Sequence, residues 1–96
     1  MNNYEGIFII DPELNDEDQG KIQDSIKESI AKQSGVVESF ENWGKKKLAY
    51  KINKRRDGMY YFIKFKADPL AISKMNKGYK HNESILKTLI INMESK

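Results

Sequence analysis

The chain of 96 residues has no cysteine, which excludes disulfides and thiolate-held zinc or iron–sulfur centres. Proline occurs twice and glycine six times, and neither gathers into a linker or a low-complexity tract. Long apolar runs are also missing. The longest, Met59 to Ile63, is far too short to span a bilayer, and the opening MNNYEGIF has no basic stretch leading into an apolar one. One domain over residues 1–96, soluble and cytoplasmic, is the expectation. The only histidine, His81, lies in a polar stretch with no obvious catalytic partner near it in sequence. Asp11, Glu13, Asp16, Glu17 and Asp18 lack the spacing of a calcium loop and read instead as acids at a helix start. No metal, no cofactor, no small-molecule substrate and no enzymatic activity are expected.

Charge is abundant and unevenly placed. Residues 1–43 hold three Lys and ten Asp/Glu, a balance of −7; residues 44–96 hold fourteen Lys/Arg and four Asp/Glu, a balance of +10. Such asymmetry points to a polyanionic partner for the second half, or only to solubility. The densest part is GKKKLAYKINKRR, Gly44 to Arg56, with seven basic residues. Leu48, Tyr50 and Ile52 alternate through it like one face of a strand.

Patterns along the chain alternate between the two periods of regular structure. YEGIFII (Tyr4 to Ile10) reads as a strand ended by Asp11-Pro12. Ile22, Ile26 and Ile30 share one helical face, with Asn15 as the cap and Gly35 supplying the left-handed terminator. Val36 to Asn53 is predicted as one long strand bent at Gly44, and Asp57-Gly58 as the hairpin turn. Met59 to Ala67 returns as the third strand. Asp68-Pro69 opens a second helix buried through Ile72, Met75 and Tyr79, and Ile85 to Asn92 forms the last strand. The order β-α-β-β-α-β implies an α+β, ferredoxin-like fold: a four-stranded antiparallel sheet with both helices on one face.

A sheet covered on one side should alternate apolar and polar positions. The first, third and fourth strands do not. If Phe8, Ile10, Ile63, Phe65, Thr88 and Ile90 face the helices, then Ile7, Ile9, Tyr60, Phe62, Leu89 and Ile91 lie on the open face and suit a protein partner. The alternatives are that the long second strand folds over this face, or that the chain self-associates.

Two functions known on this topology leave different marks. Acylphosphatase-like enzymes cradle phosphate in a glycine- and arginine-containing loop after the first strand, where this chain has DPELNDED, a loop that repels anions. Free RNA-recognition-motif-like binders stack bases on the central strands. Against their third-strand signature GMYYFIKF matches only at Tyr60, Phe62, Ile63 and Phe65.

GKKKLAYKI, Gly44 to Ile52, resembles the signature of the bacterial ribosomal protein S-six family: a glycine, basic residues, then Leu-Ala-Tyr-x-Ile. Tyr4-Glu5, the DPEL turn, the long first helix, GMYYFIKF and Asp-Pro-Leu extend the resemblance over almost the whole chain. It implies a structural protein of the small ribosomal subunit that binds small-subunit ribosomal RNA together with small-subunit protein eighteen. Where family members often carry basic residues beside the opening tyrosine, this chain has Asn2 and Asn3; of two basic positions early in the last strand, only Lys87 carries over. Lys45, Lys46, Lys47, Lys54, Arg55 and Arg56, with Lys80, His81 and Lys87, are the expected RNA-binding surface. Tyr4, Tyr60 or Phe62 stacks on an unpaired base or packs on the partner protein, and the sequence does not choose between them.

Overall fold

The computed structural model describes residues 1–52 and 54–94. Its elements run β1 (Asn2–Ile10), α1 (Asp16–Lys32), β2 (Val36–Ile52), β3 (Arg55–Ala67), α2 (Pro69–Lys80) and β4 (Ile85–Asn92). They form one antiparallel sheet of strand order β2-β3-β1-β4, so β2 and β4 are its edges. This is the ferredoxin-like arrangement.

Local chemistry explains most boundaries. Asn15 Oδ1 accepts the Asp18 N–H at 2.8 Å, and Asp16, Glu17 and Asp18 occupy the positive end of α1. At the other end Ser34, not Gly35, takes the left-handed conformation, with φ +62°. Gly35 is needed for space instead: a Cβ there would lie 2.8 Å from both Ile30 Cγ2 and the Lys66 carbonyl. Asp68 caps α2 by accepting from the Leu70 N–H at 3.0 Å, and Pro69 follows as the first helical residue.

The helix-side core contains Phe8, Ile10, Ile63 and Phe65 from the sheet with Ile26, Ile30, Ala71, Met75 and Tyr79 from the helices. Ile22 and Ile72 pack at its margin. Tyr61 is fully buried, and its hydroxyl donates to Gln19 Oε1 at 2.7 Å while accepting from Gln23 Nε2 at 3.1 Å. The Gln19 amide in turn donates to the Asp11 carbonyl at 3.0 Å, tying α1 to the end of β1. Burial pushes the Tyr79 hydroxyl above its ordinary pKa, a rise opposed by its hydrogen bond with Ser29.

Two further expectations need correction. Tyr4 is 5 % exposed and its ring stacks on Phe65 at 5.6 Å, inside the core and out of reach of a base. It shares the parity of Phe8 and Ile10, and alternation sends all three to the helices. Asp57-Gly58 is not the hairpin turn: Ile52 pairs with Arg55, Lys54 takes φ +67°, and Asp57 and Gly58 lie within β3 opposite Lys47 and Lys46. The predicted end of β2 at Asn53 falls outside the described residues.

Candidate nucleic-acid interface

Moving the turn lengthens the β2-β3 hairpin into an arm. The β1-β3 pairing ends at Ile10 and Met59, whereas β2 and β3 stay paired to Ile52 and Arg55. Three contacts fasten the arm to the sheet. A Cβ at Gly58 would meet Ile9 Cγ2 at 2.3 Å and Leu48 Cδ2 at 3.5 Å, so these three residues are in close apolar packing. Lys87 Nζ donates to the Tyr50 hydroxyl at 3.2 Å, joining opposite edges of the sheet. Arg55 pairs with Asp11 at 3.1 Å and Glu13 at 2.6 Å.

The long hairpin therefore folds over one end of the open face. Ile9, expected to be available to a partner there, is only 8 % exposed. Gly58 has the role suggested for a glycine inside a strand, close approach of neighbouring chain. Gly58→Ala is expected to destabilise the protein by about 1–3 kcal/mol through overpacking against Ile9. Chemical denaturation measures this, and a change within about 0.5 kcal/mol would mean that the arm shifts freely.

Lys45, Lys46, Lys47, Lys54 and Arg56 are exposed on this arm, as is Lys51. Strand alternation divides the three consecutive lysines. Lys45 and Lys47 pair with Met59 and Asp57 on the helix-facing side, whereas Lys46 pairs with Gly58 on the open side. Arg55 is already neutralised by two carboxylates. With Lys80 and Lys87 it lines a cleft of about 780 Å³ that also contains Asp11 and Glu83. His81 is the exposed C-cap of α2 and lies outside that cleft lining. The basic residues thus form an exposed arm and, joined to it through Arg55 and Lys87, a cleft of mixed charge.

The rest of the open face has two halves. Ile7, Leu89 and Ile91 make an aliphatic half; Leu89 and Ile91 are 48 % and 47 % exposed. The other half is aromatic and contains a residue the sequence reading passed over. Trp43 stacks on Phe62 with centroids 4.9 Å apart and planes 12° from parallel, beside the half-buried Tyr60. Lys46 Nζ lies 5.2 Å from the Trp43 ring and 5.9 Å from that of Tyr60, and Lys64 Nζ lies 5.9 Å from Phe62. The β2 register shifts between Asn42 and Gly44, where Gly44 takes φ +83°. The bulge sets the position of Trp43 against β3. A lone tryptophan before a glycine in a strand was the available signal.

The loop after β1 carries Asp11 and Glu13, and an Asp11 oxygen accepts the Glu13 N–H at 3.0 Å. Negative charge fills the place where an acylphosphatase-like loop would gather N–H groups around an anion.

Comparison with known proteins agrees with this architecture. The model of the family described as ribosomal protein S6 matches residues 3–92. The small ribosomal subunit protein bS6 of Clostridium novyi is 36 % identical over 94 residues, covering 98 % of this chain and 99 % of that protein. The bS6 protein of Helicobacter acinonychis is 38 % identical over 96 residues, covering 100 % of this chain and 68 % of that protein. The crystal structure of 30S ribosomal protein S6 from Thermotoga maritima superposes with a TM-score of 0.89 at 26 % identity, over 95 % of this chain and 86 % of that one.

Proposed function

This chain belongs to the ribosomal protein S6 family, and from that premise we propose that it is a non-enzymatic constituent of the small ribosomal subunit. In this reading it binds small-subunit ribosomal RNA together with small-subunit protein eighteen and resides on cytoplasmic ribosomes. The observation that carries the RNA part is the arm: exposed Lys45, Lys46, Lys47, Lys54 and Arg56 on a hairpin fastened through Leu48, Tyr50 and Arg55. Cations on an ordered strand meet phosphates without the entropy cost that a loose basic tail would carry. Ribosomal RNA needs its backbone neutralised more than its bases read, which suits lysine.

Protein eighteen, in this reading, uses the aliphatic half of the open face, where Ile7, Leu89 and Ile91 lie. The experiment is sedimentation of the untagged protein with small subunits through a salt wash, paired with RNA binding by the purified protein. Retention on subunits, and tighter binding to a small-subunit RNA junction when protein eighteen is added, are the expected results. Loss from washed subunits with RNA binding intact would instead identify a free RNA binder.

A further inference from the structure

We infer that the aromatic half of the open face is a stacking site for an unpaired nucleobase, with Trp43 as the platform and Lys46 as the contact to that nucleotide's phosphate. The inference rests on the RNA-binding reading above and adds a second, chemically different contact to it.

The first argument is order. An indole held 4.9 Å from Phe62 and nearly parallel to it has already lost its side-chain freedom, yet Trp43 remains 41 % exposed. Its Nε1–H also points to Glu41 Oε1 at 3.4 Å, which further limits rotation. A flat, ordered and exposed ring is what base stacking requires, and every base has a π-face to offer it.

Charge selects the ligand. Lys46 and Lys64 border the rings, and neither takes part in an ion pair among the described residues. Glu5 lies opposite Lys64 and Glu41 beside Trp43, so Lys46, opposite Gly58, is the ammonium that an apolar protein segment laid over Trp43 would have to desolvate without an ion-pair partner. A nucleotide brings its own phosphate and neutralises it. The aliphatic half differs in this respect, since its Lys87 is engaged by Tyr50. Continuity adds a further argument: Lys46 belongs to the basic arm, so an RNA strand held by the arm runs directly onto the platform.

Trp43 is the only tryptophan, so its fluorescence reports on this site alone. Short single-stranded oligouridine and oligoadenosine are expected to quench it saturably. Trp43→Leu, which keeps apolar cover over Phe62, should lose roughly 5- to 150-fold in affinity for these oligonucleotides. The logarithmic salt slope should stay unchanged, because stacking releases no counterions. Trp43→Phe should recover most of the affinity, with circular dichroism verifying that both variants fold. If neither quenching nor an affinity loss occurs while junction RNA still binds with a steep salt dependence, stacking is refuted and the RNA-binding reading stands. If no RNA binds at all, both fall. Quenching by protein eighteen and not by RNA would assign this half to the protein and overturn the inference.

Discussion

Lys45→Ala, Lys46→Ala and Lys47→Ala combined are expected to weaken binding to a small-subunit RNA junction by roughly 100- to 500-fold near 0.1 M salt, and to flatten its salt dependence. Each phosphate contact contributes about 0.7 to 0.9 to the logarithmic slope, so three contacts remove about 2.1 to 2.7. The strand divides that total. Lys45 and Lys47 share one side of the arm and Lys46 faces the other. Lys45→Ala with Lys47→Ala should therefore remove about 1.4 to 1.8 of the slope, and Lys46→Ala about 0.7 to 0.9. Titrations over a range of salt concentrations measure all three variants. An unchanged affinity and slope in the triple variant would remove this segment from the RNA interface.

Phe8→Ala carries the largest expected effect on stability, a loss of about 3–5 kcal/mol. Phe8 is fully buried, and its ring meets Tyr79 edge-on at 5.1 Å and 87°. A Cβ on Gly6 would lie 2.9 Å from Phe8 Cε1, so the ring fills the space that this glycine leaves open. Truncation empties that space, and it also deletes the aromatic contact between β1 and α2. Against a total of about 5–15 kcal/mol for a natural domain, the loss threatens the folded state itself. Urea unfolding should show a lower midpoint with an unchanged slope. A loss under about 1 kcal/mol would indicate that Tyr79 and Met75 collapse into the gap.

Residues whose roles depend on nearest neighbours were readable without coordinates. Asn15 and Asp68 cap their helices because a short polar side chain can reach an N–H two or three residues ahead. Phe8 shares its face with Ile10, and Ile63 with Phe65, because a period of two sends alternate residues of one strand to the same side. The same rule also governs Tyr4, whose assignment to an RNA surface followed from its chemistry and ignored its parity.

Gly58 marks where such reading stops. Asp-Gly is a strong local hairpin signal, yet the chain turns between Ile52 and Arg55, and Gly58 serves the packing of Leu48 over Ile9. That contact joins residues far apart in sequence, so no window around Asp57 contains it. Trp43 is similar. Its stack on Phe62 depends on a bulge that shifts the register of β2, and the shift acts through a neighbouring strand.

The sequence by itself determined the element order, the ferredoxin-like topology, the N-caps of both helices and the concentration of positive charge on one hairpin, because each follows from short-range periodicity or composition. Tertiary structure alone decided that the hairpin is an arm fastened over Ile9, that its three consecutive lysines divide between two sides, and that Trp43 with Lys46 crowns an aromatic patch. Those features depend on register and on the packing of distant residues, which local pattern does not encode.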